Sequence, residues 1–196
     1  MTERYFGFDW SAVLPWSIEG VSVEYSNSDE VLSFFAERAN ELFGGLNQHF
    51  LNEPMTVAKR RFCAEMDALL FRRNGEVVGY FMGHPSDWSS YYGRSLSLLP
   101  ALRHGRFGTE FTRRTVAEIA ERTPVRRFEL DTSIGNPAMA KIALGLGFVP
   151  TMTVTSERWG LMTRYTKFLE PDARLAFSRQ FVNAPELGQE IRGERT

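Results

Sequence analysis

The segment Leu98-Leu99-Pro100-Ala101-Leu102-Arg103-His104-Gly105-Arg106-Phe107-Gly108-Thr109 constrains the fold of this chain more than any other. An apolar strand stops at a proline, turns through a basic, glycine-containing loop and starts a helix. The first backbone N–H groups of a helix have no intrahelical partner and carry the positive end of its dipole, so several donors hold an anion placed there. Gly105 and Gly108 let the backbone approach such an anion, and Arg103, Arg106 and His104 add side-chain donors. A pyrophosphate suits this layout. The same residues also fit an ordinary strand-to-helix turn with surface arginines, and the rest of the chain has to decide.

A length of 196 residues, with 43% hydrophobic and 24% charged residues, fits one soluble domain with a full core. The net charge of -1 and pI near 6.3 exert no global pull toward nucleic acid or anionic membrane, so neither is expected as a partner and any anion site must be local. The lone Cys63 cannot form an intrachain disulfide, which fits a reducing compartment, and in a helical stretch it reads as a small buried residue. Residues 1–16 lack a secretory apolar region and no run is long enough to span a membrane. A cytoplasmic protein is the expectation.

Residues 1–20 carry Tyr5, Phe6, Phe8, Trp10 and Trp16 and are expected to pack over the core or line a pocket mouth. Residues 21–25 alternate with period two and predict a strand. Asp29 is the expected cap of an amphipathic helix bearing Val31, Leu32, Phe34, Phe35, Ala39 and Leu42 and ending at Gly44-Gly45. A second helical region covers 47–65, interrupted by Pro54, with Lys59-Arg60-Arg61 as a solvated face. Residues 68–73 and 76–83 flank Asn74-Gly75, the strongest short hairpin signal. A polar and aromatic loop over 84–89 leads to a strand at 91–98. On that strand Arg94, Leu96 and Leu98 are expected on one face, and Tyr91, Gly93, Ser95 and Ser97 on the other.

Residues 108–122 predict an amphipathic helix, 128–131 a strand, and Asn136-Pro137 the cap and first position of another helix that stops at Gly147. Two strands follow at 151–155 and 161–169. The expected organisation is one domain over 1–170, with 1–20 packed on it, and a C-terminal helix and tail over 171–196.

Taken together, these elements resemble the core of the GNAT superfamily of CoA-dependent N-acyltransferases. In that family a strand ending in Val-x-Pro-x-x-Arg-x-x-Gly-x-Gly/Ala precedes the long helix, as Leu98 to Gly108 does here. A later Asn-x-x-Ala-x-x-Leu-Tyr-x-x-x-Gly-Phe pattern is matched by Asn136 to Phe148. The resemblance covers the middle and C-terminal two-thirds of the chain. It implies an α/β (α+β) fold: a single domain with a mixed, mostly antiparallel central sheet flanked by helices on both faces.

It also implies acetyl-CoA, or another acyl-CoA, as co-substrate, with no metal. The amides of His104, Gly105, Arg106, Phe107, Gly108 and Thr109 would bind its pyrophosphate, assisted by Arg103. The backbone from Leu96 to Leu98 would pair with the pantetheine arm, the Leu98 N–H would face the thioester oxygen, and Asn136 would reach the arm besides capping its helix. Two departures stand out. Arg106 replaces the central loop glycine, and the tyrosine that in many members protonates the departing thiolate falls at Ala143, leaving room for an acyl group larger than acetyl.

Acyl transfer to an amine needs a route for the amine proton, donors for the oxyanion and stabilisation of the thiolate. Glu129 and Asp131 share one face of an internal strand, where two carboxylates are costly without a purpose. Asp131 is the candidate to bind or deprotonate the amine; pairing of both carboxylates with arginines such as Arg94 or Arg126 fits equally. Water, Ser133 or Tyr165 could meet the thiolate, and His84, Trp88 and Tyr91 are candidates for the substrate pocket. The expected function is transfer of a short acyl group to a primary amine of a small molecule. The alternatives are a protein or peptide N-acetyltransferase and a non-catalytic acyl-CoA-binding module. A homodimer is compatible with the sequence.

Overall fold

The structure is a computed structural model and describes residues 8–43, 56–156 and 159–182. Its strands are β1 (Trp16–Ile18), β2 (Val21–Ser26), β3 (Asp67–Arg73), β4 (Glu76–Asp87), β5 (Ser90–Leu98), β6 (Arg127–Ser133), β7 (Val149–Ser156) and β8 (Gly160–Phe168). Its helices are α1 (Ser28–Phe43), α2 (Val57–Ala64), α3 (Phe107–Arg122), α4 (Pro137–Gly145) and α5 (Pro171–Phe177), the last running on into a π-helical turn, Ser178–Val182. All eight strands form one sheet in the order β1-β2-β3-β4-β5-β6-β8-β7. Every pairing is antiparallel except β5 with β6. The expected mixed, mostly antiparallel sheet with helices on both faces is what forms.

Each face of the sheet buries its own apolar cluster. Under α3 and α4 lie Leu69, Phe71, Phe81, Tyr91, Phe128 and Leu130, joined by Phe107, Phe111, Ile119 and Ala143 from the helices. Phe8, Trp10 and Trp16 complete this cluster, so the described part of the aromatic N-terminal segment packs over the core, and Trp16 does so from the short strand β1. Under α1 and α2 lie Ala68, Leu70, Tyr80 and Met82 with Val31, Phe34 and Leu42.

Local chemistry fixes the joints. Asn74 and Gly75 both have positive φ, 52° and 84°, as the two-residue β3–β4 turn requires. Asn136 accepts from the Met139 N–H at 3.2 Å with Pro137 in the first helical position, and α4 is followed by Gly147 at φ 79°. The cap of α1 is Asn27, whose Oδ1 accepts from the Glu30 N–H at 2.9 Å, and not Asp29, which lies inside the helix. Thr56 caps α2 in the same way, and among the described residues of the expected 47–65 region Val57–Ala64 is helical. Positions 44–55 fall outside the described residues.

Two further corrections matter for the site. The loop expected over 84–89 is mostly strand, with His84 opposite Tyr92, Pro85 opposite Tyr91 and Asp87 opposite Ser90. Pairing with β3 ends at Gly83, so Pro85 stands where β4 has become an edge and its missing N–H is tolerated. The Asp87 carboxylate closes the turn by accepting from the Ser89 N–H at 2.7 Å. Second, β5 bulges at Arg94: Ser95 is opposite Met82, but Gly93 is opposite Gly83. The bulge switches the faces. Tyr91, Gly93, Leu96 and Leu98 look toward α3 and α4, while Tyr92, Ser95 and Ser97 look toward α1 and α2.

Candidate functional site

β5 and β6 pair only from Ser90–Arg127 to Gly93–Leu130. Beyond that point β5 stays with β4 and β6 stays with β8, so the two central strands fork. Leu98 lies opposite Gly79, and the Leu99 N–H donates to the Val78 carbonyl at 2.9 Å. By the alternation of an antiparallel ladder, the Leu98 and Leu96 N–H groups therefore point away from β4 and into the fork. Two backbone donors line its β5 edge, and the Asp131–Ser133 backbone lines the other.

Above the open end of β5, Pro100–Leu102 makes a 3-10 turn and α3 begins at Phe107. Arg106 precedes the helix at φ -86°, ψ -5°, a conformation any residue adopts, so replacement of a glycine there brings no strain. Its N–H is not open. Glu19, at the tip of the β1–β2 hairpin with φ 50°, places its carboxylate Oε2 3.1 Å from the Arg106 nitrogen. A Cβ at position 105 would lie 3.0 Å from that oxygen, which is where this chain uses a glycine. Gly108 sits further in, with Ile142 and Leu98 side chains against it. His104 is exposed beside the loop.

Arg103 points elsewhere. Its Nε donates to the Leu98 carbonyl at 3.0 Å, and its Nη2 donates to the Glu41 and Leu42 carbonyls at 2.9 and 2.6 Å. It thus satisfies carbonyls of the last turn of α1 and ties that turn to the end of β5.

On the α1/α2 side of the fork a polar cluster forms. Arg164 on β8 lies directly opposite Asp131 and grips it with two donors, Nε to Oδ1 at 2.8 Å and Nη2 to Oδ2 at 3.0 Å. The Tyr92 hydroxyl donates to the same Oδ2 at 2.9 Å, and Arg164 Nη1 lies 3.5 Å from Glu129 Oε2. The Arg164 guanidinium also stacks over the Tyr92 ring at 5.2 Å. Burial, reinforced by the charge and hydrogen bond of Asp131, pushes the Tyr92 phenol up to about 12. The hydrogen bonds to Asp131 raise the Arg164 guanidinium further, so it stays charged. Pairing of the two carboxylates with an arginine is thus present, through Arg164 rather than Arg94 or Arg126.

His84 lies beside this cluster, its ring 5.6 Å from Tyr92 and 5.9 Å from Phe62 of α2. Its Nδ1 is 2.8 Å from the Pro85 carbonyl and its Nε2 is buried without a partner. The other two pocket candidates are placed away from the fork. Tyr91 is 3% exposed, its ring on Phe128 and its hydroxyl on Asp67 at 2.8 Å, so it serves the core. Trp88 is 66% exposed at the β4–β5 turn, at the closed end of the strand pair.

Tyr165 is likewise a core residue opposite Leu130, and Ser133 accepts from the Gly135 N–H. Ala143, on α4, is fully buried in the core. Thr132, Tyr92 and Arg164 were not among the residues singled out from sequence. Among the described residues no group of three or more His, Cys, Asp or Glu could hold a metal ion, and no helix is long and apolar enough to cross a membrane.

Neither a comparison with protein-family models nor one with curated protein sequences finds a match. Solved structures do match. The chain is similar to ribosomal-protein-S5-alanine acetyltransferase from Vibrio fischeri, with a TM-score of 0.60 and 12% identity over 81% of this chain and 98% of the other. It is similar to a GNAT family acetyltransferase from Elizabethkingia anophelis with acetyl-CoA bound, at a TM-score of 0.53 and 10% identity over 77% and 99%. An aminoglycoside acetyltransferase in complex with coenzyme A gives 0.55 and 17% over 82% and 98%. Identities this low speak for the fold alone.

Proposed function

Starting from a chain that has the fold of the GNAT superfamily, we propose that it transfers an acetyl or other short acyl group from acyl-CoA to a primary amine of a small molecule. The observation that carries this reading is the fork, with its two backbone N–H donors facing the gap and an amide-rich helix start above it. An extended pantetheine arm fits the β5 edge as an added strand, and the amides from His104 to Thr109 suit a pyrophosphate once Glu19 gives up the Arg106 N–H. The Leu96 N–H is the one nearer the closed end, beside the polar cluster, and we assign it the thioester oxygen, with Leu98 binding the arm. Asn136, which caps α4 shortly after β6 ends, is assigned to the pantetheine arm.

The amine approaches from the α1/α2 face. An alkylammonium with a pKa of ~10.4 has to lose a proton before attack. A carboxylate offers about four lone-pair sites, and at Asp131 three are taken by Arg164 and Tyr92. The remaining site, on Oδ1, holds and orients the amine, while its proton leaves through water. Glu129 is the neighbouring carboxylate acceptor. Attack forms the C–N bond, the tetrahedral oxyanion rests on the backbone N–H, and collapse expels the thiolate.

The same engagement of Asp131, together with the missing hydroxyl at position 143, favours a second reading: a module that binds acyl-CoA without turnover. Free-thiol release from acetyl-CoA across a panel of small amines separates the two. Turnover with any amine removes the second reading, and binding of acetyl-CoA without release removes the first.

A further inference from the structure

We propose that the Thr132 hydroxyl stabilises the departing thiolate, an inference that rests on the acyl-transfer reading above. Thr132 is 5% exposed, and its Oγ1 is buried with no hydrogen-bond partner. Buried hydroxyls are almost always paired, because leaving one unpaired costs the full desolvation of the group. An orphan of this kind therefore points to a partner that arrives with a ligand.

Its place in the fold says which ligand atom that is. Leu130 is the last residue of β6 paired with β5, and Thr132 is the next residue on the same face of β6. On β5 the bulge at Arg94 brings Leu96 onto that face directly after Gly93. Leu96 and Thr132 are thus the first residues past the fork on the shared α3/α4 side, one on each strand. A thioester whose oxygen meets the Leu96 N–H has its sulfur in the gap beside Thr132. The amine comes from the opposite face, where Tyr92 and Asp131 lie, so attack and departure take place on opposite sides of the sheet. The other buried hydroxyl without a partner among the described residues, Thr115, belongs to α3 and to neither strand of the fork.

An alcohol is a far weaker acid than a thiol, so Thr132 donates a hydrogen bond and does not give up its proton. The C–N bond forms from the amine lone pair, the C–S bond breaks with its electron pair going to sulfur, and the Thr132 O–H bonds to the resulting thiolate. The amine proton goes to water, and water later protonates the thiolate.

Thr132→Val is close in shape and removes an unpaired buried hydroxyl, so it should fold with a melting temperature equal to or above that of the wild type. With acetyl-CoA it should lose on the order of 10-fold or more in kcat at unchanged KM for acetyl-CoA, and Thr132→Ser should restore most of it. The loss should shrink when the acyl donor is an acyl-aryl thioester, whose thiolate is stable without a donor. A second readout needs no turnover. The thiol of bound CoA, followed by thiolate absorbance, should titrate below that of free CoA in wild type and shift upward in Thr132→Val. If wild type releases thiol and Thr132→Val matches it with every donor, Thr132 has no part in catalysis. A wild type that binds CoA but never turns over defeats the acyl-transfer reading, and the thiol titration then still decides whether Thr132 meets the sulfur. Failure to bind CoA at all overturns both.

Discussion

The Tyr92 hydroxyl donates to Asp131 Oδ2 at 2.9 Å across the point where β5 and β6 stop pairing. The bond joins two strands that no backbone ladder holds together from there on, and Arg164 locks its far end from β8. Rigidity at the closed end of the fork thus comes from side chains.

One consequence is spectroscopic. The Tyr92 phenol is raised from 10 to about 12, first by burial and then by Asp131. A proton held more tightly in the folded state adds stability that is complete below pH ~10 and is lost as pH rises toward ~12, because the unfolded chain releases its proton first. A phenolate absorbance titration should show a late-ionising component, and Tyr92→Phe should remove one tyrosine's share of it. Asp131→Asn should move that share down only partway, since burial remains. A wild type in which every tyrosine ionises near 10 would contradict the assignment.

Asp131→Asn tests stability and turnover together. The Asp131 side chain is only 6% exposed and Arg164 is 27% exposed, so the change leaves a half-buried guanidinium without its main counter-charge. Loss of one partner of such a pair costs roughly 2–3 kcal/mol, below the range for fully buried pairs because the guanidinium keeps some contact with water. Chemical denaturation measures that directly. If Asp131 orients the amine, kcat/KM for the amine should fall at every pH while KM for acetyl-CoA holds. Full turnover at every pH would remove Asp131 from the reaction.

Glu19 predicts an effect of opposite sign. Its carboxylate already occupies the Arg106 N–H that a pyrophosphate is proposed to use. Glu19→Gln removes that competing charge and should tighten CoA roughly 2- to 5-fold by titration calorimetry, the range expected for an anion at a helix N-terminus. Pantetheine, which has no pyrophosphate, should bind equally to both proteins. Glu110→Gln is the control for general charge, since Glu110 lies in the first turn of α3 but pairs with Arg113. Equal gains in both variants would mean that Glu19 acts only through net charge.

The parts that were readable in the chain depend on neighbours in sequence. Asn74-Gly75, the Asn136 cap and Gly147 each act within a few residues, and each stands where the local pattern puts it. The missed features depend on long-range partners. Arg164 meets Asp131 because β8 crosses back beside β6, and no spacing rule links positions 33 residues apart. The Arg94 bulge is visible only in the register with β4, yet it reverses which face Leu96 presents. Tyr91 and Tyr92 illustrate the result. Adjacent and chemically alike, one is sealed in the core and the other faces the fork, and alternation alone could not rank them once the bulge lay between them and the open end.

Arg103 is where local and long-range readings diverge most, and it gives the last prediction. By motif it belongs to the anion loop, whereas its guanidinium is bonded to the Leu98, Glu41 and Leu42 carbonyls. Those bonds satisfy the C-terminal turn of α1, where a positive charge also complements the helix dipole. Arg103→Met keeps the apolar stem and removes the donors. With charged-donor hydrogen bonds each contributing up to ~1.5–3 kcal/mol and the site exposed, a net loss of about 2 kcal/mol is expected, or roughly 4–8 °C in melting temperature for a chain of this size. Arg103→Lys should recover little, because one ammonium on a flexible stem cannot span both α1 and β5. Below the melting range, CoA affinity should stay within about twofold of wild type. A large loss of CoA affinity with unchanged stability would return Arg103 to the anion loop.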